Sequence, residues 1–411
     1  MNEKIYICLQ PTYMNEFKCD GSLCQSMCCR GSWSIEIDGD TYQRYCRIKS
    51  KKEREAILKY MKPKYVGGRM LFELMRDENG ACPFLRKDFF CGIQKAYGET
   101  FISKTCATYP RLIHHIGDLM ERGLALSCPV AAKLILSPEV SMEFEQIELS
   151  EKRPLNVIPW DVKAMHLGEY LIDLQFGCIA LLQNRKLTID QRLILMGVFL
   201  EQADELAADG REEAIHALAE TYAAEQVAEK SLDLLATMRL HVQDYIRCMF
   251  SMKTALYGRK AHDGTEKYLD ALSDLYQLTD WQETVSVEKL QATYEGYRCI
   301  AKEIVQRNSH IFENCIVNEF FIGMYPFRVV GSLRENYSYF LMCYKMTEFF
   351  TLILAVTGQK HKEMDSIMEG LSFFFSRIDH GKDYREIILD EIRSYSKDMT
   401  FFMGALLDGS F

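Results

Sequence analysis

Beyond residue 160 the apolar positions recur at the three- and four-residue spacing of one helix face. Thr188-Ile-Asp-Gln191 has the capping-box pattern; Leu193, Met196, Leu200 and Ala203 follow on one face, and Gly210 supplies a stop. Segments 161–184, 212–235, 265–277, 285–310, 335–357 and 361–377 carry similar stripes, which predict helix after helix and belong to a core. The first part of the chain reads differently. Trp33-Ser-Ile35-Glu-Ile37-Asp38 alternates as a short half-buried strand does, or leads into a helix capped near Asp38 or Asp40. Residues 40–60 predict a charged surface helix, and Gly67-Gly68 a turn. Cys82-Pro-Phe-Leu85 and Cys91-Gly92 frame a small hairpin or knuckle, and the segment Cys106 to Arg111 ends a short helix stopped by Pro110.

Cysteine and proline sharpen the division. Ten of the 15 cysteines lie within residues 1–128, and eight of the nine prolines lie at or before Pro159. Proline removes a backbone donor and breaks helix interiors, so the nearly proline-free remainder strengthens the helical reading. The expected architecture is mainly α: a small loop-rich cysteine-cluster metal-binding domain over 1–136, a linker over 137–160, and a larger all-helical domain over 161–411. A chain of 411 residues with 48% hydrophobic content can bury cores of that size. Its net charge of −9 comes without a concentration of Lys and Arg, so no nucleic-acid surface is expected. The longest uncharged apolar run, Phe349 to Thr357, is too short to span a bilayer, and the first residues do not read as a secretory signal. These features predict a cytoplasmic protein with no membrane partner.

The candidate chemistry is in the thiols. Cys19, Cys24, Cys28 and Cys29 fall within eleven residues and are answered by Cys82, Cys91, Cys106 and Cys128. In a reducing compartment, clustered cysteines are more often metal ligands than disulfides. Cys24 and Cys28 are four apart, so on a helical turn they share a face. A structural zinc site shows two ligand pairs at short regular spacing, which these eight fit poorly. Ligands drawn from several loops suit an iron–sulfur cluster, so a 4Fe–4S group is expected, with zinc or buried free thiols as alternatives. Cys8, Cys46 and the five later cysteines read as small buried hydrophobes. His114-His115 reads as a surface pair at an apolar-to-polar boundary rather than as ligands.

The sequence resembles the bacterial flagellin lysine-N-methylases. The likeness runs from Pro11-Thr-Tyr13 and Phe17 through the first four thiols to Gly31-Ser-Trp33-Ser-Ile-Glu-Ile-Asp38. It continues in Cys82-Pro-Phe-Leu85, Cys91-Gly-Ile93, Gly98, Thr105-Cys106-Ala-Thr-Tyr109-Pro-Arg111 and Leu126-Ser-Cys128-Pro129. The cysteine arrangement also resembles a wider group of zinc- or iron-chelating proteins. Glu313-Asn314-Cys-Ile-Val-Asn318, Tyr325-Pro326-Phe327 and Phe375-Ser-Arg377-Ile-Asp-His380 extend the likeness into the helical part. The resemblance implies methyl transfer from S-adenosylmethionine to lysine ε-amines of flagellin, with an iron–sulfur cluster in the cysteine domain.

No Gly-rich turn of a Rossmann-type donor site follows a strand, and the radical-enzyme cysteine triplet is absent, its third position being Gly31. A neutral amine attacks a sulfonium methyl without a radical, given in-line positioning, a proton acceptor and aromatic or carboxylate neighbours. Among the matched residues, Asp38, Tyr13 and Tyr109 are the catalytic candidates, and Trp33, Arg111, Asn318, Arg377 and His380 the substrate- or cofactor-binding ones. Singly, each also suits a structural part: Trp33 in a core, Arg111 beside a carboxylate or an anionic cluster, His380 at a satisfied helix end. A non-enzymatic metal-chelating or protein-binding module is the alternative. An electron carrier ranks last, because it has no need of so many helices.

Overall fold

The computed structural model describes residues 5–22, 24, 27–30, 34–66, 69–78, 80–150, 156–257, 266–278, 286–329, 331–358, 363–380, 384–394 and 399–409. Trp33 and the expected turn at Gly67-Gly68 lie outside the described residues. Contacts divide the chain into a cysteine unit, Met1–Leu134 with Glu143–Trp160, and a helical unit, Ile135–Met142 with Asp161–Phe411.

The cysteine unit carries more sheet than its loops and turns predict. Strands β1 (Ile5–Pro11), β2 (Glu36–Ile37), β3 (Met61–Val66), β4 (Arg69–Leu74), β5 (Arg111–Ile116), β6 (Leu119–Leu124), β7 (Phe144–Ser150) and β8 (Ile158–Trp160) form two sheets, ordered β7-β1-β6-β5-β8 and β2-β4-β3. The expected linker 137–160 is divided between the units. Its β7 pairs antiparallel with β1, setting Ile147 opposite Cys8 and Leu149 opposite Tyr6. Ile147 and Leu149 alternate with Gln146 and Glu148, a strand pattern hidden by the surrounding charges. They pack beside buried Cys8, Ile113 and Met120. The smaller sheet buries Phe72 and Leu74 with Ile35, Ile37, Tyr45, Ile57 and Ile93. The charged helix expected over 40–60 is two helices, Gly39–Cys46 and Lys51–Leu58, because Ser50 caps the second by accepting the Glu53 N–H.

The helical unit is built round Leu333–Thr357, whose side chains are buried on every face along most of its length. It opens on a capping box of Ser332 and Glu335. By length and composition this helix could cross a membrane, but 78% of its apolar window is buried within the protein. Ile189–Ala208, Glu266–Tyr276, Val287–Arg307 and Glu363–His380 pack against it. At Gly197 the approach is close: an added Cβ would stand 2.7 Å from Tyr337 Cζ and from Met403 Sδ. The predicted capping box Thr188/Gln191 forms, and Gly210 ends that helix at φ +67°, which glycine adopts without strain. The helix expected over 212–235 breaks into Ile215–Ala223, Val227–Lys230 and Leu232–Thr237, with Ala224 extended at the first break. Glu313, from the Glu313-Asn314 motif, is buried and accepts from Arg192 at 2.7 Å and Arg185 at 2.8 Å. Asn314 donates to the Pro138 carbonyl at 2.8 Å. That motif is therefore a structural tie within the helical unit.

Candidate functional site

The local backbone of the cysteine unit explains where its thiols stand. Met27–Arg30 is one helical turn bearing Cys28 and Cys29. The Cys29 carbonyl accepts the Cys82 N–H at 2.7 Å and the Arg76 guanidinium at 2.7 Å, tying that turn to the expected knuckle. In the knuckle, Leu85 bridges Cys91, and the Gly92 N–H reaches the Phe84 carbonyl at 2.8 Å. Cys91 caps the helix Gly92–Tyr97, Cys106 rides on Lys104–Thr108, and Cys128 directly precedes Pro129–Leu136.

All eight expected thiols fall in one electrostatic neighbourhood. Cys28 is the hub, its charge acting on Cys19, Cys29, Cys91, Cys106 and Cys128. The Cys29 thiol is within hydrogen-bonding reach of Cys28 and Cys82, so the proton stays on Cys29 and the other two are lowered to about 7. Backbone N–H groups of Phe84 and Leu85 point at Cys82, those of Ile93 and Gln94 at Cys91, and those of Val130 and Ala131 at Cys128. Burial still pushes Cys128 up to about 11, and Cys24 adds to that rise. Cys106 keeps a solvent-facing edge, yet the protein packed around it and the thiols of Cys82, Cys91 and Cys28 push it upward. Within the set, Cys28 and Cys82 have the chemistry of stabilised thiolates, whereas burial holds Cys19, Cys91, Cys106 and Cys128 towards the thiol. Among the described residues, no three Cys, His, Asp or Glu side chains form a group that could share one metal ion. A preformed ligand group is therefore described neither for the iron–sulfur cluster nor for the zinc alternative. Cys8 is buried as expected, whereas Cys46 and Cys299 are exposed.

The other expected residues are scattered. Asp38 caps the helix Gly39–Cys46: its carboxylate accepts from Thr41 N at 3.0 Å, Thr41 Oγ1 at 2.8 Å and Lys104 N at 2.9 Å. Burial opposes its charge, but those hydrogen bonds outweigh it and hold the carboxyl below its usual range. The Tyr13 hydroxyl accepts the Leu124 N–H at 3.2 Å. Tyr109 shares a 3.2 Å hydrogen bond with Ser127, and burial, then the nearby thiols, raise its pKa. Arg111 lies over the Phe17 ring at 5.2 Å and feels Cys19. Arg377 lies over Phe373 at 5.1 Å, and Asn318 is buried in Ser309–Ile322. His380 ends the helix Glu363–His380, and its side chain lies outside the described residues. His114, expected at the surface, is buried on β5, where its Nδ1 accepts the Trp160 Nε1–H at 2.8 Å.

The helical unit holds a cavity that no motif announces. It lies among Ile189–Ala208, Val242–Tyr257, Val287–Arg307, Leu333–Thr357 and residues 406–408, and has a volume of about 110 Å³. Tyr245, Tyr294 and Tyr297 form an aromatic wall, with centroids 5.2 and 5.4 Å apart along the series. Lys345 is bound to Asp190 at 3.1 Å and to Glu348, and Tyr344 donates to Glu348 at 2.8 Å. Burial disfavours the Lys345 ammonium, but the two carboxylates outweigh it and hold its proton; burial pushes Glu348 up against the pull of Lys345. Asp408 receives Lys302 at 3.0 Å and Arg298. The C-terminal segment closes one side: Asp408 N–H donates to Asp190 at 3.0 Å and Gln191 Nε2 to the Gly409 carbonyl at 3.0 Å.

The FliB lysine N-methylase C-terminal domain family matches residues 176–404, more than half of the chain. The chain belongs to that family. Two lysine-N-methylases, from Salmonella choleraesuis (strain SC-B67) and Salmonella typhimurium (strain LT2), are each 23% identical over 397 residues, covering 91% of this chain and 92% of the relative. Flagellar biosynthetic protein FliU of Salmonella muenchen is 30% identical over 138 residues, which are 32% of this chain and 79% of that protein. No solved structure matches the chain. Membership places the chain among lysine-directed methyltransferases. Of the residues lining the cavity, only Leu406 and Asp408 fall outside the segment shared with the lysine N-methylase family. Sequence reasoning passed over the cavity because its charged groups are spread from Asp190 to Asp408. One signal was legible: Lys345 and Glu348, three apart, are the charged residues in the run from Tyr337 to Thr357, and buried charges need partners.

Proposed function

We propose that the protein transfers methyl groups from S-adenosylmethionine to ε-amines of lysines on flagellin. The observation that carries the reading is the alignment of 91% of the chain with lysine-N-methylases, and the flagellar name of the FliU relative supports the substrate. The step is a polar displacement. The lysine nitrogen, as a free amine, attacks the sulfonium methyl in line; the new N–C bond forms as the S–C bond breaks. S-adenosylhomocysteine leaves, and the proton on nitrogen passes to a base or to solvent. Asp38 and Tyr13 are already engaged with backbone donors, which makes them scaffold, while Tyr109 and Arg111 stand beside the thiols as positioning groups.

A 4Fe–4S cluster on four of the eight thiols is part of this proposal. Convergence of those thiols and the N–H groups aimed at Cys82, Cys91 and Cys128 support it, since hydrogen bonds to sulfur favour bound thiolate. When bound, such a group supplies anionic charge and crosslinks loops that are far apart in sequence. Protein purified without oxygen should be brown and contain iron and sulfide in equal amounts. With labelled donor and flagellin, methyl-lysine and S-adenosylhomocysteine should form one for one. Appearance of 5′-deoxyadenosine, or a reductant consumed at each turnover, rules out the polar route. If flagellin stays unlabelled with the cluster intact, the protein is a binding module instead.

A further inference from the structure

The cysteine unit carries a groove of its own, of about 470 Å³, within the size range of small-ligand sites. Its walls are the helix Lys51–Leu58, residues 83–86 of the knuckle, and the helix Gly92–Tyr97. Ile57 and Ile93, from the core of that unit, line it together with Phe84 and Leu85. The rings of Tyr60 and Phe84 meet there edge to face, 5.9 Å apart and at 88°. The Phe84 backbone is held in place. Its carbonyl accepts the Gly92 N–H at 2.8 Å, and a Cβ at Gly92 would stand 3.1 Å from the same oxygen. The Tyr97 hydroxyl donates to Glu53 at 2.8 Å, which fixes a carboxylate at the groove. Among the described residues, no Lys or Arg pairs with Glu53. Arg86, at the rim, is engaged by Asp88 at 3.3 Å. One cation is already seated: Lys59 Nζ lies 4.6 Å from the centroid of the Tyr60 ring.

Two perpendicular rings, an apolar floor and one carboxylate discriminate among cations. An unmodified ammonium is strongly hydrated and carries three N–H donors, more than one carboxylate beside aromatic faces can satisfy. Each N-methyl group removes a donor and adds apolar surface that packs on the rings, while the positive charge stays. The position of Lys59 over Tyr60 shows that a lysine side chain reaches that face. We propose that the groove binds the side chain of an N-methylated lysine on a partner protein. The methylammonium lies against Tyr60 and Phe84, faces Glu53, and displaces Lys59. The ligand is the product class of the methylase reading above, and to that extent the proposal rests on it. A partner bearing several lysines would then stay on the protein after its first methylation.

Titration calorimetry on the full chain under anaerobic conditions tests this with three acetyl-Gly-X-Gly-amide peptides. X is trimethyl-lysine, lysine, or the neutral analogue of trimethyl-lysine with carbon in place of its terminal nitrogen. The native protein should bind the trimethyl-lysine peptide about fivefold or more tighter than either of the others, a comparison that needs no variant. Tyr60→Leu should remove that preference. Lys59→Met, which takes away the competing ammonium, should tighten the trimethyl-lysine peptide, a gain that damage to the fold does not produce. Circular dichroism checks that the variants fold. The inference is overturned if the native protein binds none of the peptides, or binds trimethyl-lysine no tighter than lysine or the neutral analogue. It is also overturned if Tyr60→Leu keeps the preference or Lys59→Met brings no gain. Labelling of flagellin by the native protein is read separately. Failure of the groove with flagellin labelled leaves the methylase reading standing, and tight peptide binding with flagellin unlabelled removes that reading and keeps the groove.

Discussion

The cysteine unit and the helical unit solve the same problem with different materials. In the first, two sheets with small apolar clusters bring eight thiols from Cys19 to Cys128 into one neighbourhood, where backbone donors face Cys82 and Cys128. In the second, a nearly all-buried helix organises an aromatic core, and its few charges are held by one another, as Glu313 is by Arg185 and Arg192. The difference teaches where each is fragile. With the proposed cluster bound, the cysteine unit would draw on its thiols as well as its sheets, whereas a close-packed bundle depends on volume and on buried charge pairing.

The contrast is broken most severely at its hub. If the proposed cluster is bound, Cys28→Ser, or Cys24→Ser or Cys106→Ser where those are ligands, should strip it and open residues 11–130 to protease, because small metal-held domains draw folding energy from the metal. The helical unit should keep its own resistance, and limited proteolysis with mass spectrometry reads both at once. Normal metal content with normal resistance in these variants would remove the proposed cluster. Next in size is Glu313→Ala. It strands the buried guanidinium of Arg192, whose side chain is 4% exposed, and should cost about 3–5 kcal/mol in urea unfolding, with the cysteine unit unaffected.

Smaller effects sharpen the same comparison. Gly197→Ala adds a methyl against Tyr337 and Met403 and should destabilise the helical unit by about 1–3 kcal/mol. Asp38→Ala removes a helix cap from the cysteine unit and should cost about 1 kcal/mol. Asp38 also gives that unit a pH signature. Its folded pKa lies below the unfolded one, so its stabilisation is complete above the unfolded value, about 3.9, and is lost as pH falls through the folded value. Asp38→Asn keeps a capping oxygen and should flatten that acid limb, measurable as melting temperature against pH.

What was readable differs between the units for a physical reason. Capping boxes and stripes are local, so the Ile189–Ala208 helix with its Gly210 stop could be read before any contact was known. Ser50 and Ala224 show the limit: each marks a break inside a stretch that read as continuous helix. Asp38 was legible twice, as an N-cap and as a catalytic candidate, and the Lys104 N–H reaching it across the fold gives the cap the stronger evidence. His114 misled because its partner, Trp160, is distant in sequence.

By themselves, the residues determined the division into a cysteine-rich part and a helical part and the start of helices such as Ile189–Ala208, since propensity, capping and composition are properties of short stretches. Only the tertiary structure decided that β7 closes onto β1, that Glu313 is a buried tie, and that Asp190, Arg298, Lys345, Glu348 and Asp408 surround one cavity. Those relations join residues far apart along the chain. Their energies come from burial and charge pairing, which no local pattern encodes.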